Sequence, residues 1–123
     1  MDNKYIEFAK KHKEILDYVA NYHTAELVKL LIPKRDNKKE AAKVAAAIAL
    51  RNSIKTFDVR TLHRAALYHT DHLIDKVNQK WNEAGLNDRE KKRKISRYCA
   101  AIAIRNGLHD DWWVLVELAK MIL

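Results

Sequence analysis

Two stretches of this chain are near copies of one another. Ala45–Asn52 reads AAAIALRN and Cys99–Asn106 reads CAAIAIRN, agreeing at six of eight positions over an offset of 54 residues. Self-similarity at a fixed offset constrains a fold strongly, because each copy has to build the same local structure. Both copies are runs of small apolar residues that end in Arg-Asn. Asn37-Lys38-Lys39-Glu40 precedes the first and Asn87-Asp88-Arg89-Glu90 the second. Asn at a helix cap with Glu three residues on satisfies backbone donors that the helix leaves open. Both copies leave through a short break, Ser53-Ile54-Lys55 and Gly107-Leu108-His109, and Gly107 suits the left-handed position past a helix end.

The unit so read is cap, basic first turn, Ala-rich helix, break, helix. It divides a single helical domain, residues 1–123, into repeat units of about 36–83 and 87–123. Ala-rich faces let backbones approach closely, so the two copies are expected to cross at the centre. Chance agreement between common helix formers is the competing reading.

The remaining pattern predicts an all-α fold, a bundle of five to six helices. Tyr5, Phe8, His12, Ile15, Val19 and Tyr22 alternate spacings of three and four, which makes one apolar stripe on a helix from Asn3 to Tyr22. Thr24 is expected to cap a short helix over residues 25–32 that Pro33 ends. A long helix is expected over residues 59–83, capped by Asp58, with Val59, Leu62, Ala66, His69, Leu73 and Val77 inward. Helices over 88–106 and from Asp110 or Asp111 to Leu123 complete the bundle. Trp112 and Trp113 are adjacent, so they point about 100° apart on a helix. One fills the core and the other sits on a flank or at a partner surface. The apolar end Met121-Ile122-Leu123 is expected to dock onto the bundle or onto a second subunit.

Only two Gly and one Pro interrupt the chain, which is 48% apolar and 33% charged, a composition for folding and not for disorder. The single cysteine, Cys99, excludes an intramolecular disulfide and reads as a small buried residue. No basic-then-apolar leader opens the sequence, and no apolar run is long enough to cross a bilayer. A cytoplasmic or host-cytoplasmic protein without membrane contact is expected.

The formal net charge is +8, which favours a nucleic acid or an acidic protein as partner. The charge is concentrated. Arg89, Lys91, Lys92, Arg93, Lys94 and Arg97 stand against Glu90 at the start of a helix, where the dipole already disfavours cations. Lys34, Arg35, Lys38 and Lys39 hold the corresponding place before the first copy. Helix N-termini ringed by Lys and Arg suit phosphate groups, because free backbone donors and side chains act together on an anion. Both starts are expected on a common surface. A solvated charged face is the alternative. Arg51 and Arg105, at the ends of the Ala-rich helices, are read as structural.

Catalysis has no positive signal. His69 and His72 lie three apart near Asp75, and His109-Asp110 pairs a possible ligand with a carboxylate, but no third convergent ligand, HExxH or Glu-x-x-His pair accompanies them. His69 and His12 read as hydrogen-bonded packing residues. Neither a metal nor another cofactor is expected. The leading expectation is a non-catalytic nucleic-acid-binding protein, or a small subunit of a nucleoprotein complex, that grips the phosphate backbone with little sequence preference. The alternative is a small interaction or regulatory protein, of the phage-inhibitor type. It would bind an acidic partner or form a homo-oligomer through Trp112, Trp113 and the apolar C-terminal residues.

Overall fold

A computed structural model describes residues 3–123. It is all-helical among these residues. The elements are α1 (Asn3–Lys11), α2 (Lys13–Asn21), α3 (Thr24–Leu31), a 3-10 turn (Ile32–Lys34), α4 (Lys38–Arg51), α5 (Val59–Leu67), α6 (Thr70–Trp81), α7 (Asp88–Arg105) and α8 (Trp112–Ile122). Eight helices therefore replace the five to six expected. Two long helices are each divided.

The expected helix over residues 3–22 bends at His12 (φ −110°, ψ 28°), which is buried and bonded through Nε2 to Asp111 at 2.8 Å. The expected helix over residues 59–83 breaks at Tyr68 and His69, both extended. That break turns the expected inward stripe outward: Val59 is 82% and Leu62 42% exposed, and Ala66 and His69 are exposed as well. Thr61 and Ala65 are buried in their place, whereas Leu73 and Val77 are buried as the periodicity required.

The two Ala-rich helices form the centre. α4 and α7 pack on each other, with α2 and α3 against α4 and with α5 and α6 against α7. Seven consecutive residues of α4, Val44 to Leu50, are buried, so this helix has almost no solvent face. A helix apolar all round belongs inside a core. α8 covers α2 and the end of α4, and α1 packs beside it. Asn37 Oδ1 accepts from Glu40 N at 3.1 Å and Asn87 Oδ1 from Glu90 N at 2.9 Å, so both caps form. Past the two Arg-Asn ends, Ser53 (φ 64°) and Gly107 (φ 94°) take the left-handed conformation that closes each helix.

A further pair of anchors brackets each Ala-rich helix. Asn52 Nδ2 donates to Thr24 Oγ1 at 3.1 Å, and Asn106 Nδ2 donates to Thr70 Oγ1 at 3.1 Å. Arg51 donates to the Val19 carbonyl, and Arg105 to the Ala65 carbonyl at 2.9 Å. Each carbonyl belongs to the last turn of the helix that opens its half, where no intrahelical donor remains. These matched contacts lie within residues 13–52 and 59–106. The helix pair they hold thus precedes the Ala-rich helix, where the sequence echo had suggested a helix that follows it.

Trp112 is core, 2% exposed, and its Nε1 donates to the Ile54 carbonyl at 2.9 Å. It offers no partner surface, contrary to the expectation. Trp113 is 50% exposed, edge-on to Tyr5 and beneath the Lys4 ammonium. Met121, Ile122 and Leu123 are exposed and do not dock onto the bundle. Cys99 is a free thiol, fully buried, and burial pushes its pKa up.

Candidate anion-binding groove

Lys38 and Lys39 of the first basic start lie apart from the second start. Lys38 lines a depression with Ile104, Arg105 and Asn106, and Lys39 lines another with Asn106 and Leu108. The start of α4 therefore lies beside the end of α7. Lys92 sits thirteen residues back along that straight helix, about 20 Å away at 1.5 Å per residue. The expected common face is thus not formed by Lys38 and Lys39 with Lys92. Arg35, moreover, is bonded to Asp75 at 3.0 Å, and Lys34 ends the 3-10 turn partly covered.

The α7 start has a different setting. α5 and α6 both pack on α7, which makes α7 the floor of a groove and α5 and α6 its walls. Arg60 and Arg64 from α5, Lys80 from α6, and Lys94, Arg97 and Tyr98 from α7 line a depression of about 180 Å³. The Arg64 guanidinium lies 4.4 Å from the Tyr98 ring centre, a cation–π contact that fixes it over the floor. Arg64 and Tyr98 also line the adjoining depression of about 510 Å³, with Tyr68, His72, Lys76 and Gln79. Every fourth residue from 60 to 80 thus reaches this groove: Arg60, Arg64, Tyr68, then His72, Lys76, Lys80. Four-residue steps keep one face of a helix, and the break at Tyr68 folds the stripe back on itself.

The carboxylates at the groove each have a partner, and Asp75 is itself part of the lining of the larger depression. Asp75 holds Arg35, Glu83 lies 3.2 Å from Lys80, and Asp58 caps α5 by accepting from Thr61 N and Oγ1, each at 2.8 Å. The Thr61 backbone bond, then its hydroxyl, and then the charges of Arg97 and Arg64 hold the Asp58 carboxyl below the usual carboxylate range. Arg60, Arg64, Lys94 and Arg97 form no ion pair with a described residue, and neither do Arg89, Lys91, Lys92 and Arg93 on the exposed turns of α7.

The anchors Thr24/Thr70 and Asn52/Asn106 put the two halves of the chain in register. Ten residues before Thr24 stands Glu14, and ten before Thr70 stands Arg60. Twelve and nine residues before Asn52 stand Glu40 and Lys43, and the same steps before Asn106 give Lys94 and Arg97. In the first half these positions form an ion triad, Lys43 bonded to Glu14 at 2.9 Å and to Glu40 at 3.1 Å. In the second half all three positions are cations.

Sequence reading singled out Lys94 and Arg97 and missed Arg60, Arg64, Lys76 and Lys80. The signal for these was the four-residue spacing, which the assumption of one unbroken helix over residues 59–83 concealed. His69 is exposed, not buried as expected. Its Nδ1 accepts from Arg105 at 3.0 Å, and its ring lies 6.0 Å from that of His72. Among the described residues, no three His, Cys, Asp or Glu side chains converge as metal ligands. No helix of the described residues is long and apolar enough to cross a membrane. No protein-family model, curated protein or solved structure matches the chain.

Proposed function

We propose that this protein is a non-catalytic nucleic-acid-binding protein whose contact surface is the groove walled by α5 and α6 and floored by α7. One observation carries the reading. The first half neutralises its central lysine with two glutamates, whereas the second half sets Arg60, Lys94 and Arg97 at the same three positions. Like charges gathered at one depression cost stability, and the single Asp58 carboxylate, already accepting from Thr61, offsets them only in part, so the arrangement serves an anion supplied from outside. Arg64 adds to the field, and the unpaired run Arg89, Lys91, Lys92 and Arg93 extends it along α7. The contacts suit phosphates and not base edges, so binding is salt-dependent with little sequence preference. The matched halves are read as an internal duplication in which one copy kept its ion triad and the other became the binding copy.

Titration of DNA and RNA at increasing salt tests this. Affinity is expected to fall steeply with salt, and Arg60→Gln and Arg97→Gln are each expected to lower the salt slope by about one. Absence of binding to either nucleic acid at low salt would overturn the reading.

A second reading rests on a different surface. Trp113, Met121, Ile122 and Leu123 leave apolar area open on α8, and Val59, Leu62 and Leu67 do so on α5. Such area suits self-association or a protein partner. Sedimentation decides it: an oligomer that persists at high salt supports apolar association, and a monomer at all salt concentrations removes self-association.

A further inference from the structure

The groove has two compartments that differ in lining. The end formed by Arg60, Lys80, Lys94 and Arg97 is cationic and about 180 Å³. The other end is lined by Tyr68, His72, Asp75, Lys76, Gln79 and Tyr98 and is about 510 Å³. Arg64, lying over Tyr98, forms the wall they share. The first compartment is built for phosphate. The second is mixed: Lys76 stands beside Asp75, which is paired with Arg35, and Tyr68 and Gln79 add a ring and an amide that the first compartment lacks. Tyr68 is 44% exposed at the break between α5 and α6, so its ring is available for stacking.

We infer that the ligand is single-stranded nucleic acid, bound with backbone phosphates in the cationic compartment and an unpaired base against Tyr68 in the other. This rests on the nucleic-acid reading above and narrows it. A duplex keeps its bases stacked inside and presents phosphates alone. It therefore gains nothing from the aromatic end. Stacking on an aromatic side chain accepts any base, because every base has a π-face, so this strand-type preference is independent of sequence. The pairing of α5 and α6 residues along the groove supports the geometry. Arg60 faces Lys80 at one end and Tyr68 faces His72 at the other, which sets the two compartments in line along about 12 Å of α5.

The test compares three probes of equal length by fluorescence anisotropy: an oligothymidylate, its abasic counterpart and the matching duplex. The oligothymidylate is expected to bind about tenfold more tightly than the abasic strand. Tyr68→Ala is expected to remove that difference while leaving the salt slope unchanged. Tyr68 is partly exposed, so the variant is expected to fold, and circular dichroism checks it. Equal binding of all three probes, or a Tyr68→Ala protein that still separates thymidylate from abasic strand, overturns the base compartment and leaves the phosphate reading intact. Failure of every probe to bind overturns both.

Discussion

Asn106 donates its side-chain amide to the buried hydroxyl of Thr70, 36 residues away in the chain, at 3.1 Å. The same amide reaches the Ile102 carbonyl at 2.8 Å. Asn52 makes the corresponding pair of bonds to Thr24 and to Ile48, at 3.1 and 2.8 Å. Each asparagine closes its own helix and ties that helix to the start of another. Asn52→Ala and Asn106→Ala are therefore each expected to cost about 1–3 kcal/mol, because a buried polar partner is stranded. Urea denaturation measures both. A loss at one position only would show that the two anchors are not equivalent.

Leu16 and Leu62 occupy corresponding places, eight residues before Thr24 and Thr70, in different surroundings. Leu16 is 8% exposed on α2, against which α8 packs, whereas Leu62 is 42% exposed on α5, which has no comparable cover from α8 among the described residues. Leu16→Ala is expected to cost about 2–5 kcal/mol, the range for a core leucine. Leu62→Ala is expected to stay within about 1 kcal/mol, as surface substitutions do. Thermal or urea unfolding of the two variants checks the contrast.

Asp58 gives a prediction in pH. Its folded-state pKa lies below the ordinary carboxylate value, mainly through the Thr61 backbone bond. A carboxyl depressed on folding contributes stability that is present above its unfolded pKa. That contribution is lost as pH falls through the folded value. Asp58→Ala is thus expected to cost about 1 kcal/mol at neutral pH. The gap to the parent protein is expected to close as pH falls below about 4. Asp58→Asn, which retains a cap, is expected to show little loss at neutral pH. A pH series of unfolding midpoints decides.

The separated basic starts make a further prediction. Lys38 and Lys39 lie beside the end of α7, away from the groove. Charge reversal of both is expected to change nucleic-acid affinity by no more than about threefold at moderate salt, the remainder of a screened long-range field. Reversal of Arg60 and Arg97, which line the groove, is expected to lower affinity at least about tenfold. Equal losses from the two double variants would mean that binding follows overall charge and not the groove.

Much of the fold was legible because the signals were local. Asn37 and Asn87 cap as their glutamates imply, Gly107 takes the left-handed turn, and the Ala-rich runs pack at the centre. The break at Tyr68 was not legible from hydrophobic period, because Leu62, Leu73 and Val77 keep helical spacing straight across it. A second echo marks it: Tyr22-His23-Thr24 recurs as Tyr68-His69-Thr70, at an offset of 46 and not 54. The offset changes because α6 has twelve residues to the eight of α3, and α7 eighteen to the fourteen of α4. Four residues are about one turn, so each insertion keeps the buried face while breaking the register of a single-offset comparison. The groove was hidden for the same reason, since its walls meet only once the chain folds back at that break.

Arg60, Lys94 and Arg97 have a thermodynamic consequence as well as a geometric one. These three like charges line one depression with only the Asp58 carboxylate to offset them, and their repulsion subtracts from the free energy of the native state. Any polyanion that settles there relieves it, so occupancy and resistance to heating are coupled by linkage. Simple salt relieves it too, by screening. Under the proposed function, the melting temperature is therefore expected to rise with any polyanion that occupies the groove, readable before that ligand has been identified.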